Sequence, residues 1–185
     1  MNSERFLEIL ESQTRKMTEV AKRLKHEDEN HLKWRSSPQS WNILECLEHL
    51  NRYSDFYIPE MRQAIKDSPT HCEKEFLPGL LGSYFAKSML PKEKLNRMKT
   101  FRDKNPLNEA LDKTVIDRFI KHQSELMDLL HLGKKVSLNR IKIKTSISSL
   151  LRLKLGDAFQ FLNNHNIRHF QQIEKIQTLL SSEAL

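Results

Sequence analysis

Four long apolar stripes, each stepping by three and four residues, constrain this chain more than any other feature. Phe6, Leu7, Leu10, Thr14, Met17, Val20, Ala21 and Leu24 form the first. Such steps place side chains on one face of an α-helix, so the chain reads as a first helix over residues 4 to about 33. Ile43, Leu44, Leu47, Leu50, Tyr53, Phe56, Tyr57, Met61 and Ile65 predict a second helix from about Trp41 to Asp67. Ser40 is the expected N-cap, and Pro59 sits inside as a candidate kink. Ala110, Leu111, Val115, Phe119, Leu126, Leu129 and Leu130 predict a third helix over Leu107 to Leu132, stopped by Gly133. Ala158, Leu162, His165, His169, Ile173, Ile176 and Leu180 predict a fourth from about Leu155 to Leu180.

Only four Gly and six Pro occur in 185 residues, too little punctuation for a strand-rich fold. The expected fold is therefore all-α, a four-helix bundle, built as one domain over residues 1–185. Residues 68–106 form a long connection holding Pro69, Pro78, Pro91 and Pro106. Within it, PGLLGSYFAKSML is expected to make a short helix packed on the bundle. The basic segment from Lys134 to Lys154 reads as a loop with one helical turn.

Other function classes find little support. The formal net charge of +7 is spread along the chain, with denser stretches at Lys87–Lys104 and Lys134–Lys154. No helix-turn-helix, zinc-finger spacing or basic-aromatic platform accompanies it, so nucleic acid is not an expected partner. No apolar run reaches membrane-spanning length, and the polar N-terminus is unlike a secretory signal. Cys46 and Cys72 do not make a disulfide scaffold. A cytoplasmic protein without membrane or nucleic-acid partners is the expectation.

The chemistry concentrates in histidine. His165 and His169 are an i, i+4 pair on the core-facing stripe of the fourth helix. His49 lies on the apolar side of the second, with Cys46, Leu50 and Tyr53 as helical neighbours. If those helices touch, three imidazoles can meet on one divalent ion and leave a position for water or substrate. The competing reading is a set of hydrogen-bonded structural histidines, since a pair with this spacing arises easily among eight.

Two segments carry a resemblance. SSPQSWNILECLEHL looks like the second-helix signature of the DinB-like superfamily, also called DinB/YfiT-like metalloenzymes. There a tryptophan after a Ser- or Pro-containing turn precedes a His-Leu pair. DAFQFLNNHNIRHFQQIEKI is similar to that family's last helix, with its HxxxRH element followed by Gln. The resemblance implies an up-down-down-up bundle, often a homodimer, with nickel, zinc or a similar ion held by His49, His165 and His169. It also implies an enzyme similar to thiol S-transferases that use bacillithiol or mycothiol. The ion would acidify a low-molecular-weight thiol for attack on a small electrophile, or acidify water in a hydrolase.

The neighbouring residues divide between roles. Glu45, one turn before His49, is read either as an acceptor orienting that ring or, more readily, as a solvated helix residue. It is the sole candidate for a general base. Gln172 is placed to fix the His169 tautomer or to face solvent. Cys46 reads as inert packing, Trp34 and Trp41 as packing anchors, and Arg168 as pointing elsewhere on its helix than the histidines, either to bind an anionic substrate or to lie exposed. Two rival functions stand beside the enzyme: a non-catalytic stress-response or binding protein with a vestigial or structural metal site, and, ranked last, a nucleic-acid binder.

Overall fold

The computed structural model describes residues 1–90, 100–148 and 150–183 of the chain. It is mostly helical: α1 (Ser3–Leu24), α2 (Glu29–Lys33), α3 (Ile43–Lys66), α4 (Leu80–Met89), α5 (Thr114–Gly133) and α6 (Leu155–Glu183). A 3-10 turn occupies Arg102–Lys104, and strands β1 (Lys142–Lys144) and β2 (Arg152–Lys154) pair antiparallel. Pro91 and the basic residues from Lys92 to Lys99 of the expected connection lie outside the described residues.

Local chemistry sets the helix ends. The expected single first helix divides after Leu24, and Asp28 caps a new one by accepting the Asn30 N–H. The polar run KHEDEN offers no stripe to carry α1 across this point. At α3 the cap is Asn42 rather than Ser40. Asn42 Oδ1 accepts the Glu45 N–H at 2.8 Å, and Glu45 Oε2 accepts the Asn42 N–H at 2.8 Å. This capping box satisfies two donors at once and outcompetes a serine hydroxyl. Pro59 lies within α3 without ending it.

The third long helix begins at Thr114, seven residues later than expected, where Asp112 accepts the Thr114 N–H and hydroxyl. Residues 107–113 are spent on turns, with Asn108 at φ 65°, a conformation asparagine tolerates. The basic segment after α5 is a hairpin rather than a loop with a helical turn. Ile143 and Leu153 pair and are buried while their neighbours point outward, which is the period of a strand. The predicted short helix in PGLLGSYFAKSML is α4, which packs on α6.

Two apolar clusters fill the interior. One gathers Phe6 and Leu10 of α1, Tyr57 and Met61 of α3, Leu126 and Leu129 of α5, and Phe159 and Leu162 of α6. The other gathers Ala21 and Leu24, Leu44 and Leu47, Ile116 and Phe119, and Ile173 and Ile176 of the same helices. Thus α1 and α6 run from the first cluster to the second, and α3 and α5 run back. Between the clusters each helix turns polar and stays buried: Thr14 on α1, Asn51 on α3, His122 and Gln123 on α5, Asn163 and Asn166 on α6. Asn51 Oδ1 meets His122 Nδ1 at 3.1 Å, Asn166 donates to Gln123 at 3.2 Å and Thr14 donates to Asn163 at 3.3 Å. Among the described residues no helix is long and apolar enough to cross a membrane.

The docking of α4 depends on the absence of a side chain at Gly82, where an added Cβ would lie 2.1 Å from Asp157 Cγ at the start of α6. The Asp157 carboxylate also accepts the Gly79 N–H at 3.1 Å. Gly82→Ala should therefore lower stability by about 1–3 kcal/mol, the usual cost of overpacking. Urea denaturation monitored by circular dichroism checks this, and an unchanged midpoint would contradict the close approach.

Candidate metal centre

The three candidate histidines come together in the polar layer. His49 projects from the second turn of α3, and His165 and His169 from successive turns of α6, which packs against α3. All three are buried. His49 Nε2 and His169 Nε2 each lie 3.1 Å from His165 Nε2. One ligand atom from each ring falls within 4.8 Å of those of the others.

Hydrogen bonds fix two of the tautomers. His49 Nδ1 lies 2.7 Å from the Lys104 carbonyl, which can only accept, so Nδ1 carries the proton and Nε2 keeps its lone pair. His169 Nδ1 lies 3.0 Å from Gln172 Oε1, with the same consequence. Gln172 thus takes the tautomer-fixing position considered for it. His165 Nδ1 is buried with no partner among the described residues.

These facts test the fit of a cation. A proton on His165 Nε2 can bridge to one neighbour only, and the other contact then sets two lone pairs 3.1 Å apart. With the proton on Nδ1, three lone pairs converge with nothing between them. A divalent ion resolves the contact by accepting all three. Nitrogens each about 2 Å from one ion would be separated by about 3 Å, close to the 3.1 Å between His165 and each of the other two. Burial also favours neutral imidazole. It pushes the His49 pKa down to about 4, with the nearby Arg52 and Lys104 charges acting the same way against the Lys104 hydrogen bond. Burial lowers His165 and His169 well below the ordinary value, aided by the neighbouring imidazoles. The donor set is therefore chemically suited to nickel, zinc or a similar ion.

Aromatic rings pack the centre in place. Trp41 stacks beside His49 and His169, with ring centroids 4.7 and 5.7 Å away. Tyr53 lies 5.0 Å from His49 and 4.5 Å from His165. Trp41 is accordingly a wall of the site as well as an anchor. A cleft of about 970 Å³ opens from the three histidines, lined by Tyr53, Phe161, Arg168 and Gln172 among others. Arg168 lines this cleft beside the histidines rather than pointing away from them, because the steps from His165 to Arg168, Gln172 and Lys175 keep one face of α6 along it.

Glu45 is placed differently from both readings made of it. It is fully buried rather than solvated, and its carboxylate takes the Asn42 and Asn108 N–H groups and the Arg35 guanidinium. The acceptor at His49 is instead the Lys104 carbonyl. A backbone group in a distant turn leaves no mark in the sequence. Tyr53 did leave one, as the residue one helical turn past His49. Cys46 is buried outside the cleft, its thiol pKa pushed up chiefly by burial and further by Glu45.

A family model of the DinB superfamily matches residues 9–173, a span that takes in all three histidines. No curated protein and no solved structure matches the chain at a significant level.

Two outcomes follow from the burial of these groups. In chelator-treated protein, the unfolded chain protonates His49 near its ordinary pKa of 6.5 while the folded chain resists until about 4. The unfolded state then binds more protons, so stability is full above about 6.5 and declines as pH falls toward 4. His49 alone accounts for a loss on the order of 3 kcal/mol. Urea titrations across this range measure it, and a flat profile would refute it. Separately, a thiol reagent should modify one cysteine in the native protein, the exposed Cys72, and both after denaturation.

Proposed function

This chain belongs to the DinB superfamily, and we propose that it is a metal-dependent enzyme whose nickel or zinc ion is held by His49, His165 and His169. The observation that carries this reading is the convergence of three buried Nε2 atoms, two with tautomers fixed by carbonyl acceptors, at the inner end of a cleft. Bound there, the ion would supply a Lewis acid able to acidify a thiol or a water molecule at neutral pH.

The remaining groups suit nucleophilic substitution by a low-molecular-weight thiol on a small electrophile. No carboxylate lines the cleft among the described residues, whereas Arg168 and Lys175 do. A wall of that sign favours an anionic substrate and stabilises thiolate over thiol. Burial raises the Tyr53 pKa to about 12, so its phenol stays protonated and able to donate a hydrogen bond. Phe161 packs beside His165, and Trp41 beside His49 and His169. Hydrolysis is the second reaction the same centre would support, but it calls for a base to take a proton from water. With Glu45 engaged in the α3 cap, no carboxylate among the described residues is in place for that role.

A non-catalytic role would be favoured by a fourth protein ligand and a sealed site. Among the described residues the cluster has three members, and a cleft adjoins it. The same reading takes α1, α3, α5 and α6 as the family's up-down-down-up four-helix bundle. The opposite running of α1 and α6 against α3 and α5 between the two apolar clusters supports it.

Protein purified without a nickel column should carry about one equivalent of divalent metal by elemental analysis. His49→Ala, His165→Ala and His169→Ala should each weaken metal affinity by more than tenfold, since loss of an outer hydrogen-bond partner alone costs about 10–100-fold. Unchanged metal content in all three variants would overturn the site. Metal-loaded protein should also accelerate conjugation of a low-molecular-weight thiol to a reactive electrophile. Full metal occupancy without turnover across a thiol panel would remove the transferase reading while leaving the site intact.

A further inference from the structure

The register of the β1–β2 hairpin sets Lys142 opposite Lys154 and Lys144 opposite Arg152. Directly opposed residues project to the same side of a two-stranded sheet, so four basic side chains share its outer face while Ile143 and Leu153 face the core. Like charges in opposed positions destabilise a hairpin, and no packing need calls for them here. Of the four, Lys144 reaches Glu60 at 3.5 Å, and the charges of Lys154 and Lys142 act on the Asp157 carboxylate. Lys154 also donates to the Leu77 carbonyl at 2.6 Å, which ties the hairpin to the entry of α4.

The solvent side of α4 is unusual in the opposite sense. Its inner face, with Gly82, Ala86 and Met89, packs on α6. Its outer side carries exposed Leu80, Leu81 and Tyr84, with Leu80 96% exposed, beside Lys87, and Leu77 just before the helix is exposed as well. At the tip of the hairpin Leu150 is 91% exposed. Large aliphatic groups therefore flank the basic face at both ends. A helix with large apolar groups on its outer side as well as its inner calls for a cover.

We propose that the outer face of the β1–β2 hairpin and the apolar stripe of α4 form a docking surface for an anionic lipid bilayer. The basic side chains meet the headgroups, and Leu80 and Leu150 enter the acyl boundary. Basic residues beside exposed aliphatics are the composition that interfacial attachment requires. A second copy of this chain is a poorer cover, because a symmetric pairing of the stripe would bring two basic hairpins together in a protein already at +7. Nucleic acid is a poorer partner as well, since leucines add nothing to phosphate contact and one exposed tyrosine makes no stacking platform. A bilayer partner departs from the expectation of no membrane partner, which rests on the lack of a spanning-length apolar run; alternation over three-residue strands is too short to reveal which side the charges share.

The attachment is peripheral and independent of the metal centre, although Tyr84 and Ile147 also line the cleft and place its mouth beside this surface. Cosedimentation of the full chain with vesicles tests it. The protein should pellet with phosphatidylserine-rich vesicles, remain in solution with phosphatidylcholine alone, and be released by high salt. Lys142→Gln with Lys144→Gln should lower partitioning about 25-fold, at about fivefold per charge. Leu80→Ser should lower it about tenfold or more and Leu150→Ser similarly, with circular dichroism and metal content unchanged. Equal binding to both vesicle types, or none to either, overturns the proposal. So does charge-dependent retention of duplex DNA that ignores both leucine variants, which would mark a nucleic-acid face. A dimer in velocity sedimentation that Leu80→Ser dissolves would assign the stripe to a second copy.

Discussion

Three buried imidazoles at the inner end of a cleft, with His165 Nε2 3.1 Å from the Nε2 of both His49 and His169, form the constraint around which the rest of the molecule is arranged. Three neutral rings so placed repel through their lone pairs, and protonating one costs desolvation of the cation. Neither state is comfortable without a metal ion, so the surrounding fold must hold the rings together against that repulsion. It does so from two helices that run in opposite directions. The α3 cap built from Asn42 and Glu45 fixes where His49 begins its turn. The 3-10 turn at Arg102–Lys104 brings a carbonyl to its outer nitrogen. On α6 the restraint is internal, since Gln172 lies one turn beyond His169 and holds it from the same helix.

The polar layer explains why the core is divided. Burying Asn51, His122, Gln123, Asn163 and Asn166 is costly unless they bond to one another, and the bonds seen cross between helices. Each such bond fixes the height of one helix against its neighbour. A slide of one turn would leave amides facing leucines in both apolar clusters. The layer therefore acts as a register, and the three histidines lie at that level, where a slide of either helix would separate them. An ordinary leucine core would be stable too, but it would define the relative heights of α3 and α6 less sharply.

Much of this was legible in the sequence, for a physical reason. The stripes that predicted four long helices are the direct record of burial, and the core-facing position of His165 and His169 follows from the same steps. Whether His49 meets them depends on helix pairing, which periodicity does not encode; the resemblance in SSPQSWNILECLEHL and DAFQFLNNHNIRHFQQIEKI supplied it. Helix ends were read less well. Ser40 and Asn42 are both good caps, and the choice depends on Glu45 reaching back from the third position. That same reach removed Glu45 from the candidates for a base. The hairpin was missed because one buried residue per strand, Ile143 or Leu153, is too short a signal beside a run of lysines. The Lys104 carbonyl and the inward face of Arg168 are tertiary facts, set by where a connection lands and how a cleft opens.

The distribution of charge around the cleft narrows the chemistry further than the histidines do alone. A metal-dependent hydrolase usually needs a base near the ion, and carboxylates are the common choice. Here the nearby carboxylates serve structure: Glu45 is in the α3 cap and Glu48 pairs with Arg52 and Arg118. Among the described residues the cleft is lined by cationic, aromatic, aliphatic and neutral polar side chains, with no carboxylate. The ion can acidify either a thiol or water to near neutrality, but a thiol is the stronger acid to begin with and gives up its proton more readily in a positive field. If a metal sits among these histidines, the side chains lining its approach suit a nucleophile that arrives easily deprotonated. A thiol carrying its own negative charge would meet the same walls on favourable terms.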